Sequence, residues 1–391
     1  MSQLWGNGDG YSWIMWFVFM FFLIYFYPKL MISQIMWKLE KTAENLESMS
    51  RKSKKFIINR ITKKPTKSLK ESIDRFFEFF VIEPVSLDPY GIIRKLDHII
   101  QNEKQRFDYF VKQIAPKMDE ERRASLTMGL SGGISLHTIA KTIRHYVELI
   151  RKTKNLQIAM LLQMQLPMIE KLANAVYEGT KALTKGEPIG DSVGPYIVAK
   201  LIGNAKTKEI EEDVVMAEKK MLGRHVFLLK AKGPGGRLGR PGKAVEKLLK
   251  KHKIAKIITI DAAAKLEGEK TGSIAEGVGV AIGGPGVEKS YIENVAVKKN
   301  IPLDSIIVKM SAEEAIMPMR KEIKDAFKEV EESIKRSLIA TKPKSKVIIV
   351  GVGNTSGIGN SSKGIEKTEK WIEQYSKKLK EKEKKKKKRF F

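Results

Sequence analysis

The chain has 391 residues, 42% of them hydrophobic, which is too long for one ordinary domain and long enough to bury a sizeable core. It has no cysteine and only five histidines, with no HExxH spacing. Disulfides and thiolate metal sites are therefore excluded, and any metal chemistry would fall to carboxylates. The net charge of +28 points either to a polyanionic neighbour or to the Lys- and Glu-rich solvated surface of a thermophile's protein.

Residues 11–27 read YSWIMWFVFMFFLIYFY without a charge, and apolar residues continue to Trp37. About 20 such residues cross a bilayer, so 11–36 is predicted to be one transmembrane helix. Trp13, Trp16, Tyr25 and Tyr27 stand near its ends, where aromatic belts form. A cleaved signal peptide would need basic residues before the run and small residues after it; Asp9 and bulky aromatics stand there instead. Lys29, Lys38, Lys41, Arg51, Lys52, Lys54 and Lys55 crowd the C-terminal flank. The positive-inside rule then puts residues 1–10 outside the cell membrane and the body in the cytoplasm, as a single-pass protein. The same lysines would attract anionic head groups of the lipid bilayer.

Residues 37–88 are basic with little periodicity and read as a juxtamembrane helix and linker. Residues 89–185 read as a helical domain. Ile92, Leu96, Ile99, Ile100, Phe107, Phe110, Val111 and Ile114 recur at helical spacing, and Pro116 ends that helix. A second helix is predicted over 119–128, a turn at Gly129-Leu-Ser-Gly-Gly133, a third helix over 136–152 with Ser135 as N-cap, and a fourth over 155–184. Within the last, Ile158–Ile169 is apolar almost all round. It is too short to span a membrane and reads as a buried helix rather than a membrane-dipping or oligomer-forming one.

From residue 186 to 362 the texture is α/β. Strands are predicted at 225–229, 255–260, 305–310 and 346–350, and helices at 195–203, 243–252, 287–299 and 312–337. Glycine-rich loops lie at 233–242 and 277–286. Such alternation implies a mostly parallel sheet with helices on both faces, whose active site lies at the carboxyl ends of the strands. There is no GxxxxGK[ST] and no clean GxGxxG unit, so the loops carry little nucleotide signal.

Two aspartates stand out. Asp191 opens a helix in GDSVGP (190–195), and Asp261 ends a strand in TIDAAA (259–264). Either alone reads as an N-cap or a turn residue. Together with GPGGRLGRPG (233–242) and GVGVAIGGPG (277–286), in this order, they resemble the spore germination protease family. That fold is shared by the hydrogenase-maturation endopeptidases. The resemblance covers roughly 186–310 and implies a phosphorylase/hydrolase-like domain. In those families a strand ending Gly-x-Gly-Asn comes just before the acidic helix start. Here the matching strand is VIIVGVGN (347–354), at the far end, so a circular permutation is expected, with the last strand inserted beside Asp191. The whole chain also resembles an archaeal family of membrane-anchored proteins of unknown function.

The resemblance implies Asp191 and Asp261 as the catalytic pair of an endopeptidase-like hydrolase. Backbone amides of Gly190, Gly194, Gly235, Gly236, Gly284, Gly353 and Asn354 would serve as oxyanion or loop donors, and Lys265 and Glu267 would tune Asp261. The maturation endopeptidases place a His with their acids to hold a metal. No His follows His252 here, so neither metal nor cofactor is expected. Residues 363–391 read as a C-terminal helix and a Lys-rich tail, EKEKKKKKRFF, open to lipid, ribosome or nucleic acid; Phe390 and Phe391 would favour a membrane surface. The competing expectation is a non-enzymatic tether holding nucleic acid, ribosomes or a partner protein through this basic surface. The helical region suggests a homo-oligomer.

Overall fold

The computed structural model describes the backbone of residues 9–81 and 91–390 and the side chains of 14–27, 29–81 and 91–381. The predicted segment 1–8, the 82–90 part of the linker and the side chains of the Lys-rich tail lie outside the described residues. Six helices come first: α1 (Asp9–Tyr25), α2 (Tyr27–Ile61), α3 (Lys67–Phe76), α4 (Ile92–Ile114), α5 (Glu120–Thr153) and α6 (Leu156–Lys185). Two compact units result. One comprises Met1–Lys52 with Ser135–Asn174, the other Ser53–Ile134 with Ala175–Phe391.

In the first unit, α1 and the start of α2 are long and apolar enough to cross a membrane. Large apolar side chains from Ile14 to Leu30 are exposed almost throughout. Burial on α2 begins at Met31 and deepens at Ile35, Leu39, Ala43 and Leu46, the a/d-like spacing of a helix facing partners. Polar contacts fix the register: Thr42 donates to Glu170 at 2.8 Å, Ser50 meets His137 Nδ1 at 3.1 Å, and Arg144 bridges Glu40 and Glu47.

One prediction fails in this helical part, and one holds on one side only. Of the stretch read as a juxtamembrane helix and linker, the described residues are largely helix, with Leu39 and Leu46 buried and Ile57, Ile73 and Phe77 in one apolar cluster. Ile158–Ile169, predicted to be buried, packs Ala159, Leu162 and Leu166 inward and leaves Met160, Leu161, Met164 and Met168 exposed. The Gly129–Gly133 turn is instead the middle of α5, a single helix through residue 153. The glycines are there for approach rather than for a bend. A Cβ at Gly129 would collide with Thr184, one at Gly132 would stand 2.6 Å from Thr180 Oγ1, and one at Gly133 would stand 2.7 Å from the Phe77 ring. Glycine costs a helix about 1 kcal/mol, and the packing offsets it.

The α/β part follows in the second unit. After a 3-10 turn at Gly190–Ser192 come α7 (Val193–Ile202), β1 (Lys208–Glu211), β2 (Val214–Met221), β3 (Arg224–Ala231), α8 (Pro241–Lys251), β4 (Lys256–Ala264), β5 (Ile274–Val278), α9 (Val287–Lys299) and β6 (Leu303–Met310). Then follow α10 (Ala312–Ile316), α11 (Lys321–Asp325), α12 (Phe327–Ile339), β7 (Lys346–Gly351) and α13 (Ser362–Phe390). The helix predicted over 312–337 is thus three. Pro318 lies between the first two, and a proline cannot donate to the helical ladder.

The sheet order is β1-β2-β3-β7-β4-β6-β5. Only the central β3-β7-β4-β6 block is parallel; β1-β2, β2-β3 and β6-β5 pair antiparallel. The sheet is therefore mixed rather than mostly parallel. The antiparallel strands were missed because β1, β2 and β5 carry polar or glycine residues where a buried strand would be apolar. Period-two alternation builds two cores. Val226, Leu228, Ile258, Ile260, Val347 and Ile349 face α7, α12 and α13. Phe227, Leu229, Ile257, Ile348 and Val350 face α8 and α9. The last strand in sequence thus lies at the centre of the sheet.

Candidate functional site

A cleft of about 920 Å³ opens at the carboxyl ends of β7 and β4, walled by α4 and the first turns of α5. Asp191 and Asp261 both line it. Asp261 is carried past the end of β7, since β4 runs on to Ala264 whereas β7 stops beside Ile260. Val352 N–H closes that edge by donating to Ile260 O at 2.8 Å. Asp191 comes from the 3-10 turn, held against the same edge by α7. A Cβ at Gly194 would stand 2.5 Å from Ile260 O, so only glycine lets α7 seat this deeply. Gly353 has φ +123° and packs on the Asp191 backbone, a position closed to any side chain. The next amide, Asn354 N–H, donates to Asp191 Oδ2 at 2.8 Å. The loop after the last strand therefore aims the first aspartate.

Both carboxyls are raised above the ordinary range. Burial is the main cause at Asp191, partly opposed by the Asn354 amide. Burial also leads at Asp261, joined by the charge of Asp191, and pushes it up to about 8; the Ala262 and Gly283 amides oppose the rise. Asp261 Oδ1 accepts from Ala262 N–H at 2.7 Å. Asp261 is 6% exposed, while Asp191 keeps part of its surface open to the cleft. Among the described residues no hydrogen bond joins the two carboxyls directly. Two like charges in a low-dielectric site cannot both ionise cheaply, which is why the charge of Asp191 adds to the rise at Asp261. Such a pair can deprotonate a water with one carboxylate and protonate a carbonyl oxygen with the other.

The other predicted residues divide. Gly236, Gly284 and Gly353 line the cleft. Gly190 does not serve, because its N–H donates to Met317 O at 2.9 Å. Gly235 N–H is held by Glu121 at 2.5 Å. Asn354 contributes its backbone amide, while its side chain accepts from Ser356 N–H at 2.8 Å. Lys265 bonds Thr271 at 2.8 Å and pairs with Glu314 at 3.7 Å, and Glu267 is exposed; neither lines the cleft beside Asp261. Past Ala264 the chain leaves the strand, so nearness in sequence to Asp261 does not become nearness in space.

Sequence reasoning missed the charged walls. Arg237, 7% exposed at its side chain, meets Glu121 at 2.6 Å, Glu120 at 3.1 Å and Asp213 at 3.2 Å. Arg240 pairs with Asp97, which also accepts from Tyr291 at 2.8 Å. Burial opposes ionisation of Asp97, but these partners prevail and hold it below the usual range. Lys104 spans Glu212 and Asp213. Thr355 clasps the two rim loops together: its Oγ1 accepts from Arg237 N–H at 3.1 Å, and its N–H donates to Arg237 O at 3.0 Å. Both arginines lie in the GPGGRLGRPG loop, so an arginine beside the glycines was the available signal. By contrast, among the described residues Glu103 and Asp108 on α4 line the cleft without an ion pair; burial raises both, with Lys104 and Lys112 nearby opposing the rise at Asp108. In all, nine carboxylates and five cationic side chains face the space. Among the described residues no group of three or more His, Cys, Asp or Glu is arranged to hold a metal.

Residues 13–186 match the model described as protein of unknown function (DUF1512), N-terminal domain, and residues 189–359 match the one described as domain of unknown function (DUF1512), C-terminal. No curated protein and no solved structure matches the chain. The two models together cover most of its length, and the chain belongs to the DUF1512 family.

Proposed function

We propose that this protein is a membrane-anchored, cytoplasm-facing hydrolase that cleaves peptide bonds with the Asp191–Asp261 pair. The observation that carries the reading is the pair itself: two buried, electrostatically coupled carboxyls at the carboxyl edge of the parallel strands, open to a cleft large enough for several residues of substrate. Ionised Asp191, steadied by Asn354 N–H, takes a proton from the attacking water. Protonated Asp261 donates to the scissile carbonyl oxygen, giving a tetrahedral diol. Collapse returns a proton to the leaving amine as the C–N bond breaks, and one water is consumed per bond. The central place of β7 beside Asp191 also supports a permuted relative of the spore germination protease fold.

The excess of carboxylates in a chain of net charge +28 favours a cationic peptide as substrate. The lysines flanking the apolar helix support an N-terminus-out orientation. The same net charge favours a second reading, a tether binding ribosome, nucleic acid or a partner protein as a homo-oligomer, for which the aspartate pair would be incidental. The full chain in lipid nanodiscs, given a mixed peptide library, separates them. Cleavage that both Asp191→Asn and Asp261→Asn abolish supports the hydrolase; cleavage by neither wild type nor variants, with salt-sensitive RNA binding intact, supports the tether.

A further inference from the structure

Lys230 is a buried titratable group that the chemistry above leaves unused. It stands near the end of β3 and is 0% exposed. Its Nζ donates to Ala231 O at 2.8 Å and to Asn360 Oδ1 at 2.6 Å. Both acceptors are neutral, and among the described residues no carboxylate reaches the amine. A lysine is almost never fully buried without a charged partner. Burial pushes this amine down to about 7, with the charge of Glu121 opposing the fall and that of Arg237 adding to it. An ammonium has three N–H donors and a neutral amine two, and the site offers two acceptors.

What Lys230 holds is the loop after β7. Asn354, Thr355, Ser356 and Ile358 are buried, whereas connecting loops ordinarily run over the surface, where water pairs their polar groups. Here protein groups take the place of water. At the far end Asn360, besides meeting Lys230, accepts from Gly233 N–H at 3.1 Å and donates to Gly233 O at 2.9 Å. In the middle Gly357 N–H donates to Pro234 O at 2.9 Å, and Ser356 Oγ donates at 2.9 Å to the carbonyl of Glu187, four residues before Asp191. At the near end Thr355 Oγ1 accepts from Arg237 N–H and donates to Gly235 O at 2.8 Å. The residue before Thr355 is Asn354, whose amide aims Asp191. The loop is thus pinned at both ends to residues 231–237.

We propose that Lys230 and Thr355 are positioning residues for the Asp191 carboxyl: they pin the two ends of loop 355–360 and so hold the Asn354 amide at hydrogen-bond distance from Asp191 Oδ2. Neither side chain touches Asp191; both act through the backbone between them. A hydrogen bond to a carboxylate favours its ionised form. Loosening either pin lets the Asn354 amide drift, and the carboxyl then keeps its proton to higher pH. The inference deepens the reading of Asp191 as the base of a hydrolase, and its rate consequences rest on that reading.

The test uses the full chain in lipid nanodiscs, labelled with ¹³C at aspartate side-chain carbons. The midpoint of Asp191 is followed in the infrared as the carboxyl band that Asp191→Asn removes. Lys230→Met keeps the length of the side chain and removes its donors. Thr355→Val keeps the shape and alters no charge, so a shift there is not the lost field of a cation. Thr355→Ser restores the hydroxyl, and Ile334→Ala, a cavity on α12, controls for lost stability alone. The midpoint is expected to rise by about one pH unit in Lys230→Met and Thr355→Val, to return in Thr355→Ser, and to stay in place in Ile334→Ala. Peptide cleavage measured alongside should show the acid limb of kcat moving by the same amount with KM kept. An unmoved midpoint in either folded variant, or an equal shift in Ile334→Ala, overturns the proposal and leaves the hydrolase reading standing. Shifted midpoints with no cleavage by wild type do the reverse. If Lys230→Met and Thr355→Val do not fold, Asn360→Ala, at the half-buried end of the loop, decides by the same criterion.

Discussion

Replacing Asp261 with asparagine should stabilise the protein, and increasingly so as pH rises. The carboxyl moves from an ordinary 3.8 to about 8 on folding. A group raised in the folded state contributes its full stability below the unfolded value and loses it as pH climbs through the folded one. Between pH 4 and 8 the native state must therefore hold a proton that the unfolded chain has released. At 1.36 kcal/mol per pH unit the ceiling is about 6 kcal/mol. Relaxation around the pair and water in the cleft reduce this, and about 2 kcal/mol is a reasonable expectation at pH 8. Asn has nearly the same shape, can still accept the Ala262 amide, and carries no charge to bury. For a body of this size 2 kcal/mol corresponds to roughly 3 °C in Tm. Thermal unfolding of wild type and Asp261→Asn in detergent, followed by circular dichroism from pH 5 to 8.5, reads the difference. A Tm gap that widens toward high pH supports the reasoning. A gap that is flat with pH, or a variant less stable than wild type at pH 8, refutes it.

Other consequences are equally direct. Asp191→Asn and Asp261→Asn should each lower peptide hydrolysis by about 10²- to 10⁴-fold without loss of fold, and wild-type activity should decline above pH 8 as the last shared proton leaves. Gly353→Ala should destabilise by about 2 kcal/mol or more, because φ +123° is strained for any side chain and the methyl meets the Asp191 backbone; urea unfolding measures it. Arg237→Ala leaves Glu120, Glu121 and Asp213 without their shared cation and should cost about 3–5 kcal/mol, with Arg237→Lys recovering only part. Glu103→Gln with Asp108→Asn should lower kcat/KM for Lys- and Arg-rich peptides by roughly tenfold while sparing neutral ones, because both carboxylates line the cleft and, among the described residues, neither is held in an ion pair.

Much of the α/β part was legible because its strands are apolar runs ending at glycine or aspartate. Strands β4 and β7 follow that rule, β3 runs to Ala231 just before Gly233, and β6 is an apolar run closed by Ser311; the placing of Asp191 and Asp261 at one edge followed from the same pattern. The antiparallel strands were hidden for a physical reason: β2 reads VVMAEKKM, its second half largely solvent-facing, and its Lys and Glu suppress the apolar signal. The Gly129–Gly133 turn failed because glycine means two things, a bend or a close approach, and only Thr180, Thr184 and Phe77 decide between them. The walls of the cleft were illegible for a different reason. Asp97, Glu103, Lys104 and Asp108 lie on a helix that looks like any amphipathic surface helix, more than 80 residues before Asp191. What converts that polar face into a wall is tertiary packing, through Arg240 to Asp97 and Lys104 to Asp213.

The account turns on one proton shared by two aspartates, and carboxyl infrared difference spectroscopy measures it. The protein, labelled with ¹³C at aspartate side-chain carbons, is compared between pH 6 and pH 9, with Asp191→Asn and Asp261→Asn as assignments. The expected result is a single protonated-carboxyl band at pH 6 that disappears near pH 8 and is absent or shifted in each variant. Two ionised carboxylates at pH 6, with no such band in wild type, would contradict the shared proton and with it the acid–base role proposed for the pair.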